Sequence, residues 1–172
     1  MSSAVVAAFV IVACLLAIGA GLAKLLRPSG AVVAMHDVGL PSNRLVVRTI
    51  SLGECALGVV VLATAAVLPR LALALLYASF AGFAALSLRA GVTTPCGCFG
   101  VGGAPPGGRH LGVAAALALV LVASVVTESG RLLLPASGLE KVIVLLVGGC
   151  SAGLAALVMT RTSPRHAQVG PT

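Results

Sequence analysis

Five long apolar runs dominate this chain and constrain its fold more than any other feature. They cover about residues 4–26, 45–68, 71–88, 111–127 and 142–159. As a helix, the first run alone would be roughly 34 Å long, which is enough to cross the hydrocarbon core of a bilayer. In that core only helices and closed barrels satisfy their backbone hydrogen bonds, and the alternating short segments of a barrel are absent. We therefore predict an all-α polytopic membrane bundle with about five transmembrane helices.

The composition supports a membrane protein and argues against a soluble or nucleic-acid-binding one. Of the 172 residues, 59% are hydrophobic and 9% are charged, and the mean hydropathy is +1.16. A soluble domain cannot cover so much apolar surface with polar groups. The net charge of +7 would suit nucleic acid, but the basic residues stand at the ends of apolar runs, where they set topology and contact lipid headgroups. The predicted partner is therefore the lipid bilayer, with no nucleic acid.

Polar or helix-breaking segments separate the runs within one predicted transmembrane domain, residues 1–159. Residues 27–44 are predicted to form a loop, and Pro69 with Arg70 a tight turn. The loop 89–110 contains eight glycines and prolines between positions 97 and 108. The first run is predicted to span the membrane rather than to be a signal peptide, because no charged residue precedes Lys24. The polar tail, residues 160–172, is predicted to be disordered.

Five crossings would bring the loops 27–44 and 89–110 and the tail to the same side of the membrane. Eight basic residues belong to that side and three (Arg70, Arg131 and Lys141) to the other. The positive-inside rule then predicts that the eight-charge side is cytoplasmic. The same parity brings the residues that could carry chemistry to one membrane face. These residues are Lys24, Glu54, Cys96, Cys98 and Arg109.

Cys96 and Cys98 are the sharpest chemical signal, because a single glycine separates them. Two such thiols can close into a small strained ring, and strained disulfides are reducible and active in exchange. Basic residues nearby would favour the thiolate that exchange requires. Two alternatives stay open: ordinary loop thiols, or a copper or zinc site completed by His110 or His36. The spacing matches no closed zinc site, so no metal is predicted.

Glu54 is the second signal, because it lies about 13 Å into the second predicted helix. A carboxylate at that depth is costly and is a candidate for function. Its predicted partner is Lys24, with Arg109 as the alternative. The pair would act either as a proton donor or acceptor beside the thiols, or as a structural ion pair that pins two helices together. The remaining cysteines are predicted to be small buried residues: Cys14, Cys55 and Cys150.

Taken together, these residues resemble the methylamine utilisation protein MauE family, a branch of the DoxX-like membrane proteins. The resemblance covers about residues 4–126 and implies a four-helix core in a bacterial cell membrane. The predicted fifth helix and the tail lie beyond that core. By similarity, Cys96 and Cys98 would be the thiol pair, with Lys24, Glu54 and Arg109 as its polar surround. The matching segments are 21–28 (GLAKLLRP), 39–41 (GLP), Glu54, 96–100 (CGCFG) and Arg109.

The resemblance also implies a function. The founding member of the family is linked to maturation of the disulfide-rich small subunit of methylamine dehydrogenase, alongside a thioredoxin-like partner. That partner works outside the cytoplasm, whereas the charge count places the loop 89–110 on the cytoplasmic side. We therefore expect a membrane thiol–disulfide redox protein that acts with a thioredoxin-like protein and a disulfide-containing client. The alternatives are a non-enzymatic scaffold or chaperone and a small metal or solute carrier. No cofactor is predicted, and a quinone has no support in the sequence.

Overall fold

The computed structural model describes residues 3–64, 66–93 and 107–126, and these form helices with no strand among them. Four of the helices are long and apolar enough to cross a membrane, which confirms the predicted polytopic bundle. The predicted span 142–159, the tail 160–172 and three cysteines (Cys96, Cys98 and Cys150) lie outside the described residues. The helices are α1 (Ser3–Leu26), α2 (Ser29–Asp37), α3 (Arg44–Thr64), α4 (Val67–Arg89) and α5 (Gly108–Val126).

Helix α1 packs closely against α3, and α4 packs closely against α5. The first pair is antiparallel, because Gly21 of α1 lies beside Cys55 of α3, whereas Cys14 lies beside Gly58. All four spanning helices contribute to one apolar core. Its fully buried centre is formed by Ala13 and Cys14 of α1, Val61 of α3, Leu73 of α4 and Leu121 of α5.

Two glycines allow the close approach of α1 and α3. A Cβ atom on Gly21 would lie 2.6 Å from the sulfur of Cys55 and 2.8 Å from the carbonyl oxygen of Ser51. A Cβ atom on Gly58 would lie 2.8 Å from Cγ1 of Ile18. Helices in lipid are held together mainly by packing, so small residues at their contact let the backbones approach.

The segment 27–44, predicted to be a loop, contains the short helix α2. Pro28 stands at its start, where the missing N–H costs no helical hydrogen bond. Ala31 and Ala34 are buried against the bundle, which stabilises a helix that is too short to be stable alone. Gly39, with φ of 74°, ends it in a left-handed turn, and the N–H groups of Gly39 and Leu40 bond back to carbonyls of its last turn. Tertiary burial therefore overrides the helix-breaking composition.

The predicted tight turn at Pro69 and Arg70 is wrong. Both residues lie in the first turn of α4, which begins at Val67, and α3 already ends at Thr64. A proline is tolerated there because the first N–H groups of a helix have no partner within it. The connection between α3 and α4 therefore comes before Pro69, between Thr64 and Val67, and Arg70 lies buried within the bundle.

Candidate functional site

The exposed arginines among the described residues lie at one end of the bundle, which we call the arginine end. Here α1 and α4 finish and α3 and α5 begin. The pairing of Gly21 with Cys55 and Ser51 sets this for α1 and α3, and contact between Arg70 and Ser124 sets it for α4 and α5. We call the opposite end the far end. The arginines that define the arginine end are Arg27, Arg44, Arg48, Arg89 and Arg109.

A buried ion pair joins α1 to α3. Lys24 Nζ donates to Glu54 Oε1 at 2.5 Å, and the two residues are 7% and 1% exposed. Side chains lean toward the N-terminus of their own helix. Lys24 therefore leans inward from the arginine end, while Glu54 leans outward from the middle of α3, and the two groups meet. The predicted pairing of Glu54 with Lys24 is confirmed, rather than the alternative with Arg109.

Two aromatic residues that the sequence interpretation missed complete this site from α4. Lys24 Nζ lies 4.9 Å from the centroid of the Phe80 ring, a cation–π contact. Phe80 packs edge-to-face on Tyr77, with centroids 5.9 Å apart, and the Tyr77 hydroxyl donates to the carbonyl of Ala13 at 2.6 Å. The single tyrosine of the chain, within an apolar run, was the only sequence signal for this cluster, because a buried hydroxyl needs an acceptor.

The other predicted site residues are less closely associated. Arg109 lies exposed in the first turn of α5, and its neighbour His110 accepts a hydrogen bond from the N–H of Gly107 at 3.4 Å. Cys96 and Cys98 lie in the segment between the described residues Thr93 and Gly107. No group of three or more His, Cys, Asp or Glu side chains within the described ranges could hold a metal ion.

The remaining described cysteines behave partly as predicted. Cys14 is a fully buried member of the core. Cys55 is only partly buried, and its sulfur lies 3.6 Å from the carbonyl oxygen of Ile18, where α1 and α3 cross. Both are therefore packing residues of the α1–α3 contact.

The methylamine utilisation protein MauE family matches residues 1–128. The chain belongs to this family. Searches of curated proteins and of solved structures return no match. The matched range contains the four spanning helices and every candidate site residue. Membership in the MauE family and the four apolar helices make this chain a multi-pass membrane protein associated with methylamine utilisation.

A second buried cation of this MauE-family protein lies at the far end. Arg70 is 3% exposed, and its guanidinium donates to the carbonyls of Ala66 and Ser124, each at 3.2 Å. Ser124 lies in the last turn of α5, which ends at Val126 among the described residues. The sequence analysis counted Arg70 among the charges that set topology. In the structure, it connects α4 to the end of α5 by a hydrogen bond.

Proposed function

We propose that this MauE-family protein is a thiol–disulfide exchange protein of a bacterial cell membrane, with Cys96 and Cys98 as its redox pair. One observation carries the proposal. The connection that contains both cysteines leaves α4 and enters α5 at the arginine end, where Lys24, the partner of Glu54, lies in the last turn of α1. Cys96 follows Thr93 by three residues, so covalent geometry keeps their Cα atoms within roughly 11 Å of each other.

The proposed exchange has a thioredoxin-like protein as its partner. A thiolate of the partner attacks one sulfur of a Cys96–Cys98 disulfide, which forms a mixed disulfide and releases the other sulfur as a thiolate. The second partner thiolate then attacks the mixed disulfide. The partner leaves as a disulfide, Cys96 and Cys98 hold the two electrons, and the two protons of the partner thiols move to them. The reverse sequence reduces the partner, which in turn serves a disulfide-containing client.

The charges of the arginine end support this chemistry. Arg89 is the last residue of α4, and Arg109 lies in the first turn of α5. These two helices flank the cysteine segment, and both arginines are exposed. Positive charge near a thiol stabilises the thiolate, which is the attacking species. In the proposal, Glu54 and Lys24 form the nearby group that accepts and returns protons as thiolates form and are consumed.

Alkylation trapping on membranes tests the proposal. Membranes are equilibrated with a dithiol reductant or a disulfide oxidant, quenched with acid and treated with a maleimide that adds mass to each free thiol. We expect two fewer modified thiols after oxidation, and no such difference in the Cys96→Ser/Cys98→Ser variant. Cys14→Ser, which changes a buried core thiol, is the matched control and keeps the difference.

Two results would contradict exchange. If Cys96 and Cys98 stay free thiols at every redox poise, a disulfide between them is excluded. Normal maturation of the client in cells that carry only the Cys96→Ser/Cys98→Ser variant would favour a non-enzymatic scaffold, because a scaffold needs the helix surfaces but not the thiols.

A further inference from the structure

One oxygen of the buried Glu54 carboxylate has no hydrogen-bond partner among the described residues. Glu54 Oε1 accepts from Lys24, whereas Oε2 is fully buried and accepts no hydrogen bond from the part of the chain that the structure describes. Almost all buried polar atoms of folded proteins are paired, so an unpaired carboxylate oxygen requires an explanation. It is a strong acceptor held at a fixed place near the middle of α3.

The polar side chains closest to Glu54 in the bundle do not supply the missing donor. Ser51, one helical turn from Glu54, donates to the carbonyl of Val47 at 2.7 Å. Tyr77 donates to a carbonyl of α1 at 2.6 Å, and the thiol of Cys55 also faces an α1 carbonyl. Each of these donors therefore already makes a hydrogen bond to a backbone carbonyl, and that bond would be lost if the side chain turned toward Oε2.

The ligand that fits Oε2 without moving its neighbours is a proton, because almost no surface of the atom is exposed in the packed bundle. We propose that Glu54 Oε2 is a proton-binding site that exchanges protons with water at the arginine end and not at the far end. Binding converts the carboxylate and one proton from hydronium into a carboxylic acid and water. The net charge of the Lys24–Glu54 pair changes from zero to +1.

The distribution of buried polar groups supports access from one end. Between Glu54 and the arginine end lie the ammonium of Lys24 and the buried hydroxyls of Ser51 and Ser87. Toward the far end, a closing layer of fully buried apolar side chains separates Glu54 from the next buried polar groups, Arg70 and Ser124. Protons move between hydroxyl groups and transient water but not through hydrocarbon. The closing side chains are Val61 of α3, Leu73 of α4 and Leu121 of α5.

Phe80 keeps the buried Lys24 ammonium in a favourable contact when Glu54 is protonated. When the carboxylate becomes neutral, Lys24 would be an unpaired buried charge, but the Phe80 ring at 4.9 Å continues to attract it. Lys24 from α1 is the charged side chain that acts on Glu54, and Glu54 in turn acts on Cys55 of its own helix and on Tyr77 of α4. Among these only Lys24 makes a direct bond to the carboxylate.

A hydrophobic carbodiimide tests proton binding on the full chain in membranes. Dicyclohexylcarbodiimide enters the bilayer and reacts with a protonated carboxyl group but not with a carboxylate. We expect an adduct on Glu54 whose rate of formation rises about tenfold for each unit of pH lowered, until the site is filled. Glu54→Gln should form no adduct, because it has no carboxyl group to react with the carbodiimide. Absence of the adduct at every pH at which the protein keeps its helical circular dichroism would overturn the proposal.

Sealed vesicles of both orientations test the one-sided access. The arginine end is located by an impermeant maleimide on Arg44→Cys, in the Cys96→Ser/Cys98→Ser background. Acidifying the medium at the arginine end should raise adduct formation, while acidifying the far end should leave it unchanged. An equal response from both ends would overturn the one-sided route. The site extends the proposed function by supplying a proton store near the thiols, yet this test proceeds without them, so a failure of thiol exchange is detected separately.

Discussion

Removing the Lys24 ammonium is the perturbation that tests the buried pair most directly. Lys24 Nζ lies 2.5 Å from Glu54 Oε1 and 4.9 Å from the Phe80 ring, so Lys24→Met leaves a carboxylate that is 1% exposed without a counter-charge. Breaking one side of a buried ion pair costs about 3–5 kcal/mol of folding free energy. An ordinary hydrogen bond between membrane helices contributes only about 0.6 kcal/mol. These two expected losses of folding free energy differ enough for an unfolding measurement to distinguish a buried ion pair from an ordinary hydrogen bond.

The assay is equilibrium unfolding in detergent micelles of the wild type, Lys24→Met, Glu54→Gln and the double variant. The double variant replaces both charges with neutral groups of similar volume, so we expect it to recover most of the loss. Glu54→Gln should lower the free energy of unfolding less than Lys24→Met does, because Phe80 still attracts the remaining ammonium. The four proteins form a double-mutant cycle. A coupling energy below about 1 kcal/mol would refute the reasoning, since the pair would then contribute no more than an ordinary hydrogen bond.

Three further substitutions test the packing that positions the site, each by the same unfolding assay. Gly21→Ala places a methyl group against the α3 backbone and should cost about 1–3 kcal/mol. Its matched control, Gly19→Ala, faces open space on the same helix and should be neutral or stabilising; equal losses would contradict the proposed contact. Tyr77→Phe removes the donor to an α1 carbonyl and should cost about 0.5–1.5 kcal/mol, and an unchanged stability would show that this hydrogen bond contributes nothing. Asn43→Ala removes the side-chain cap on the N–H of Val46 and should cost about 1 kcal/mol, with Asn43→Ser retaining most of the stability.

Hydropathy located the spanning helices well because the transfer free energy of a segment depends on its own residues. The errors fall where another part of the bundle decides the outcome. Helix α2 forms because Ala31 and Ala34 find a buried surface, and α4 begins before Pro69 because its first turn tolerates a proline. Neither surface nor turn is visible in the hydropathy of the segment alone.

The candidate site divides in the same way. The depth of Glu54 and the position of Lys24 near the end of the preceding apolar run were enough to predict their ion pair, because both residues approach the same end of the first two spans. Phe80 and Tyr77 were missed, since apolar residues within a span carry no sign of which neighbour they contact. Arg70 was assigned to the membrane boundary because hydropathy cannot distinguish an exposed arginine from one that donates to the end of α5.

The sequence by itself determined the number and order of the four described spans, and therefore that Lys24, Glu54 and Arg109 approach the same membrane face. Only the tertiary structure decided that Phe80 lies against the ammonium and that Oε2 of the carboxylate has no partner among the described residues. Hydropathy and chain direction are properties of consecutive residues. The contacts of a side chain depend instead on the rotation and depth of each helix, which the packing of all four sets together.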